Sequence, residues 1–435
     1  MGQNNNKFKL ILTGVFAFFI IVGLLAFSLF RSNNPANSQV NIAIWGTVDK
    51  ADFDNFISKY EQDNNVQFKL TYTEKPLAEI DGDLVEAIAT GKAPDVILIP
   101  QELMARYLDK VTPITSITER TFLDTYIQEA QIYIQSNGSI FAIPFFVDPL
   151  VMYYNKDLFT NAGVAAPPTT WSQFPLLAQK FTQIDQNGNI TQSIASLGQY
   201  GNVNNAKALL STLIMQAGSP IVVPDPSTGS FMSSLYQKSP TSALIPAVSA
   251  LTFFTDYSNP KKTVYSWNSS LPSSKNFFLS GNLATYFGFA SEAADIASKN
   301  PNLNFDVTMM PQTLDATAKA TFGELYGFAF LKSSPNTAAA FNLISVLTSA
   351  PAVADFLQFE GGAPARVDLI TAGTADPQKT VFYNSAIIAK SWVDPNMDAT
   401  DQIFAGMVSD VTSGNLDVDS AVQKADTKLN TLFQQ

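Results

Sequence analysis

The chain predicts an α/β protein of more than one domain, on three observations. From Asn41 onward, strand-like and helix-like patterns alternate. At 435 residues the chain is longer than one ordinary core organises. Apolar residues make up 46% and charged residues 14%, which fills large cores and excludes a chain disordered throughout.

The elements follow in order. Leu10 to Phe30 reads LILTGVFAFFIIVGLLAFSLF and carries no charge. As a helix it would span roughly 31 Å, the thickness of a bilayer core. Lys7 and Lys9 precede it and Arg31 follows, which favours the N-terminus inside and the body outside. We read residues 1–9 as cytoplasmic, 10–30 as a transmembrane anchor and 31–40, RSNNPANSQV, as a tether. The protein is thus expected at the cell membrane, single-pass, with its body extracellular or periplasmic. A cleaved signal is the alternative. Its apolar region is usually about 7–15 residues, and Ala36-Asn37-Ser38 resembles a cleavage site.

NIAIW (Asn41–Trp45) is a short strand pattern. Ala51–Asn65 places Phe53, Phe56, Ile57 and Tyr60 at helical spacing. Val66–Thr73 alternates as a strand does. DLVEAIATGKAPDVILIP gives a helix, a stop at Gly91, and the buried-looking strand Asp95–Ile99. This βαβ rhythm predicts a parallel, doubly wound sheet, with ligands beyond the strands' carboxyl ends. Gly46–Asp49 and Pro100–Glu102 stand at such ends.

Composition excludes several functions. The net charge of −11 argues against nucleic acid, whose phosphates require clustered Lys and Arg. The chain has no Cys and no His. That removes thiol chemistry, disulfides, Cys/His zinc sites and histidine-dependent triads. We expect no cofactor and no metal. Asp185-Gln186-Asn187-Gly188-Asn189 superficially resembles a calcium loop, but Ser196 stands where an EF-hand has its last Glu, and Asn-Gly signals a tight turn.

AIPFFVDPLVMYYNKDLFTNAGVAAPPTTW (Ala142–Trp171) is too rich in Pro, Asp and paired Tyr for a plain core strand. With the WGTVD run from Trp45, ATGKAPDVILIP, LGQYGNVNNAKALLSTLIMQAG, GNLATYFGFASE, the ELYGFAFLKSSPNTAAAF stretch and GGAPARVDL, it resembles the extracellular solute-binding proteins of ABC transporters, in the maltose-binding-like group. The resemblance runs from about Asn41 to Phe433.

The resemblance implies a two-lobed periplasmic-binding-protein-like fold with a hinge. Residues 41–147 plus about 320–358 would form one lobe, and about 148–319 plus 359–435 the other. A sugar or other small solute would bind between them and pass to ABC permease subunits. The protein would be a monomer and not an enzyme. In the family an acid six positions before the YNKDL tyrosine contacts sugar hydroxyls. Here these are Asp148 and Tyr154. Further cleft positions implied are Trp45, Thr47, Asp49, Gln101, Glu102, Phe287, Phe289, Glu324, Tyr326 and Arg366. Phe287 and Phe289 replace the family's frequent stacking Trp. Tyr153 and Trp392 join them as aromatics in segment-end contexts, because sugars are held by aromatic faces and carboxylates.

Several of these residues have a plainer reading. Trp45 can be core, and at most one of Tyr153 and Tyr154 can face a cleft. Asp148 can serve hinge hydrogen bonding, Phe287 and Phe289 can be core, and Arg366 can tie its turn. Thr170 is read as a cap and Trp171 as packing inward. Paired carboxylates across a cleft also suit a glycosidase, but the resemblance points to binding. The rival function is a surface-anchored scaffold or adhesion protein that keeps the fold and binds a protein.

Overall fold

The computed structural model describes residues 40–135, 137–227, 230–239, 243–314 and 319–434. The anchor, the tether and the signal alternative all lie outside the described residues. Among the described residues, no single helix is long and apolar enough to cross a membrane.

The first half of the molecule follows the βαβ pattern. Strands β1 (Ile42–Gly46), β2 (Leu70–Glu74) and β3 (Val96–Pro100) are parallel in the order β2-β1-β3. Helix α1 (Lys50–Asn64) buries Phe53, Phe56, Ile57 and Tyr60, the helically spaced set. Asp49 caps it by accepting from the Ala51 and Asp52 amides. Helix α2 (Ile80–Ala89) is followed by Gly91 at φ +69°, a conformation that favours glycine. The β2 region is shorter than expected, because Val66–Lys69 forms no strand.

Strand β4 (Ile143–Asn155) is one 13-residue element, all of it buried except Tyr154. It spans two partner sets. Its first half pairs antiparallel with β11 (Thr321–Phe330), and its second half pairs with β9 (Leu283–Phe289) and β10 (Phe305–Met309). The changeover falls at Pro149, opposite Gly323, with Leu150 opposite Phe289. Proline is tolerated where a ladder changes partners, because its missing N–H breaks no continuing bond. This accounts for Pro149.

The full order is β2-β1-β3-β11-β4-β9-β6-β5, with β6 at Ile190–Ala195 and β5 at Gln183–Ile184. The sheet is therefore mixed, not wholly parallel: β11 returns antiparallel between β3 and β4. Smaller strands complete the description: β7 (Val222–Pro224), β8 (Phe231–Ser233), β12 (Ala363–Pro364) against β4, and β13 (Ala389–Lys390) against β11.

In the second half, helix α3 (Ala206–Gln216) is buried along most of its length. Helix α4 (Glu292–Lys299) follows β9, and α5 (Met397–Thr412) and α6 (Val418–Phe433) close the chain. Thr170 and Gln173 form a capping box, and Trp171 turns inward to donate to Gln216 Oε1 at 2.7 Å. Asp185 spends its carboxylate on its own turn, accepting from the Asn187 and Asn189 amides.

Candidate ligand-binding site

Two strands form the floor where the halves meet. In their antiparallel register Asp148 stands opposite Glu324, and Phe146 opposite Tyr326. Directly opposed residues share a sheet face, so all four project to one side. The Phe146 and Tyr326 rings stack at 4.5 Å and 8°. The Tyr326 hydroxyl donates to Glu324 Oε2 at 3.2 Å, and the Ser291 amide donates to Asp148 Oδ1 at 3.0 Å.

Acids are crowded at this floor. Burial pushes the Asp148 carboxyl up to about 7, against the lowering effect of the Ser291 bonds. Burial also drives Glu324 well above the usual carboxylate range, helped by the negative charges of Glu102 and Asp148. Glu360 rises to about 7 for the same reason, with Asp148, Asp52 and Asp49 adding repulsion. Like charges in one low-dielectric site cannot all ionise freely.

A largely buried cation answers them. Lys207, on α3, lies 3.2 Å from Glu102 and 2.6 Å from Asp394. It also sits 5.3 Å from the Trp392 ring centroid. Burial would lower its ammonium, but Glu102 and Asp394 hold it above its ordinary value. Asp394 is further held by the Thr400 hydroxyl at 2.7 Å. Glu102 follows β3 and Lys207 lies on α3, so this pair joins segments far apart in the chain. A cavity of about 550 Å³ opens beside it, lined by Glu102, Lys207, Met397, Asp398, Asp401 and Gln402. The Tyr200 hydroxyl donates to Asp401.

The other expected residues are distributed as follows. Trp45 is half-buried, with Lys75 4.3 Å over its ring. The Thr47 hydroxyl is buried and has no hydrogen-bond partner among the described residues. Asp49 is the α1 cap. Gln101 is fully engaged, donating to the Gly323 carbonyl and accepting from the Leu325 amide, so it braces β11 from below. Phe289 is half-buried against Phe322.

Four expected residues lie in packing or local roles. Tyr153 is fully buried and donates to the Phe289 carbonyl at 2.7 Å. Phe287 is 1% exposed and packs on Trp171 and Phe174. Trp392 stacks on Phe404 and donates to Ser211 Oγ. Arg366 forks onto Asp368 at 2.7 and 3.0 Å, tying its own turn. For Tyr153, Phe287 and Arg366 the plainer readings describe the geometry seen here.

Lys207, Asp394, Ser291 and Glu360 also belong to this candidate site, and motif reading did not single them out. Lys207 had a legible signal, as the single charge within the helix AKALLSTLIMQ. A charge on an otherwise apolar helix needs a partner.

The comparisons with known proteins fit this geometry. The sequence profile of bacterial extracellular solute-binding proteins matches residues 46–354. The maltodextrin-binding protein of Bacillus subtilis is 26% identical over 186 residues, 41% of this chain and 42% of that protein, so less than half of that relative is spanned. A mannitol-binding protein of Pseudomonas aeruginosa is 29% identical over 97 residues, 22% of this chain and 20% of that protein. A putative binding protein of Brucella abortus is 20% identical over 424 residues, 96% of this chain and 98% of its own length. A crystal structure of a cyclo/maltodextrin-binding protein complexed with maltotetraose superposes with a TM-score of 0.72 at 15% identity, covering 93% of this chain and 99% of the other. That likeness shows a shared two-lobed α/β fold.

Proposed function

The chain belongs to the bacterial extracellular solute-binding proteins, and from that premise we propose that it captures a sugar or oligosaccharide between its lobes and presents it to an ABC permease. It is a binding protein, not an enzyme. The observation that carries the solute reading is the polar floor of Asp148, Glu324 and Tyr326 next to the Glu102–Lys207 pair that bridges the halves. Carboxylates accept hydrogen bonds from sugar hydroxyls, and an ammonium donates to them. Relatives whose names specify maltodextrin and mannitol support a polyhydroxylated ligand.

We assign solute contact to Glu102, Asp148, Glu324, Tyr326 and Lys207, with Trp45, Thr47, Asp49 and Phe289 at the rim. Gln101, Tyr153, Phe287, Trp392 and Arg366 shape the walls. The lobes are taken as 41–147 with about 320–358, and about 148–319 with 359–435; the partner change at Pro149 supports that division. Residues 10–30 would tether the body at the outer face of the membrane and keep its local concentration near the permease high.

The test is thermal unfolding of the protein against maltooligosaccharides, mannitol, monosaccharides and peptides. A saccharide at about 100 times its dissociation constant should add about 2.7 kcal/mol of stability. E102Q should weaken that binding at least tenfold. Silence across every saccharide and polyol would overturn the sugar reading and favour the protein-binding alternative.

A further inference from the structure

The cavity beside the Glu102–Lys207 pair carries more negative charge than its lysine can answer. Glu102, Asp398 and Asp401 line its wall, with Met397 and Gln402. Asp394 stands behind Lys207 and is fully buried. Among the described residues that line the cavity, Lys207 is the only cation, and it is already shared between Glu102 at 3.2 Å and Asp394 at 2.6 Å. Lys75, at the proposed rim, is spent on Asp83 at 2.6 Å.

These carboxylates are within a ligand's reach. Asp398 and Asp401 are exposed, and they stand three residues apart on one face of α5. Asp401 Oδ1 accepts from the Tyr200 hydroxyl, and no group among the described residues donates to the Asp398 side chain. Glu102 is 8% exposed and lines the cavity; its Oε1 faces Lys207, and its Oε2 has no donor among the described residues. Burial raises the Glu102 carboxyl against the pull of Lys207, and the charges of Asp394 and Asp401 add to the rise. The α5 dipole accounts for an acid in the first turn such as Asp398. It does not account for Asp401 a turn later, or for Glu102.

The same cavity lacks the usual support for a neutral sugar. Aromatic faces receive the CH side of a sugar ring, but no aromatic side chain lines this wall among the described residues. Trp392 turns away to stack on Phe404. A bare metal ion fits no better. Among the described residues no group of three or more acids is placed to hold one, and the volume of about 550 Å³ lies in the range of small-molecule sites.

We propose that the cleft selects a cationic sugar, a saccharide carrying a free ammonium group as an amino sugar does. The ammonium would seat against Asp398, Asp401 and Glu102, and the ring hydroxyls would reach Lys207 and Gln402. An ammonium has three donors and no acceptor, matching a wall of carboxylate oxygens. Charge-assisted bonds are about twice as strong as neutral ones. The same surplus of negative charge repels an acidic sugar. The proposal rests on the sugar reading above and narrows it to one class of sugar.

The experiment is calorimetric titration of the full-length protein at pH 6 with glucosamine and triglucosamine. Their counterparts run alongside: glucose and cellotriose, with a hydroxyl in place of the ammonium, and N-acetylglucosamine and tri-N-acetylchitotriose, with an acetamide. Maltotriose, mannitol and spermidine complete the panel. An ammonium sugar should bind at least tenfold more tightly than both of its counterparts. D398N combined with D401N, both at exposed positions, should cut that affinity at least tenfold and leave the counterparts within threefold of wild type. Should the double variant fail to fold, D401N alone, expected to weaken the ammonium sugar severalfold, decides the matter. A neutral saccharide or mannitol binding as tightly as the ammonium sugars would overturn the proposal and leave the sugar reading standing. Tighter binding of spermidine would overturn it by making the hydroxyls irrelevant. A preference for ammonium that survives the substitutions unchanged would overturn its assignment to this cavity. No binding by any saccharide or polyol would overturn both readings together.

Discussion

Asp148 stabilises the molecule in its neutral form, and in the proposed site it accepts from the solute as a carboxylate. Its carboxyl titrates at about 7 when folded, against about 3.9 for an unfolded chain. The folded state therefore holds a proton that the unfolded chain gives up above about pH 4. Its contribution to stability is present below that pH, falls by about 1.4 kcal/mol per pH unit up to about pH 7, and is gone above it. D148N keeps an acceptor for the Ser291 amide and removes the titration. We expect its melting temperature to match wild type near pH 4 and to exceed it by several degrees at pH 8, corresponding to on the order of 4 kcal/mol. The same substitution should weaken solute binding. A residue whose replacement raises stability and lowers affinity is held in place by function. Wild-type pH dependence persisting in D148N would assign the proton elsewhere. Of the candidate site, Asp148, Glu324 and Tyr326 could be named from the sequence because they lie on strands whose motifs are local. The packing role of Phe287 could not be read, because alternation along a strand reveals that two faces exist, not which one meets the cleft.

Elements inherit this division. Strands β1 and β3 and helix α1 could be read from short apolar runs and one amphipathic stripe, since the forces that form them act within a few residues. The antiparallel insertion of β11 could not, because its partners β3 and β4 lie far away in sequence. The meeting of Gly361 with Ser291 is equally non-local. A Cβ on Gly361 would stand 2.4 Å from Ser291 Cα, a backbone atom that cannot swing aside. G361A should therefore displace the Ser291 amide from Asp148 and cost about 1–3 kcal/mol in denaturant unfolding. Gly406, inside α5, has open space around its would-be Cβ. G406A should stabilise by about 0.5–1 kcal/mol through helix propensity. If both variants shifted stability alike, the close approach at Gly361 would not be what constrains it.

For the whole molecule, the decisive question is how the halves are held relative to one another. A hinged protein responds to solute only through the difference in affinity between its open and closed forms. In the proposed two-lobed arrangement the Glu102–Lys207 pair biases the equilibrium between those forms before any solute enters, because it joins the residue that follows β3 to α3. Salt screens exposed charges over about 8–10 Å but reaches a buried pair weakly. The radius of gyration of wild type should then stay constant between 0.05 and 0.5 M NaCl. K207M breaks the bridge and leaves Glu102 and Asp394 without their cation. Removing one member of a buried pair costs about 3–5 kcal/mol. The opened form relieves part of that cost by returning Glu102 to water, so K207M should show a larger radius of gyration by small-angle scattering and a weaker response to solute. E102Q leaves Lys207 with Asp394 and should open the molecule less. An unchanged scattering profile in K207M would mean that closure rests on the shared strands β4 and β11 and not on this ion pair.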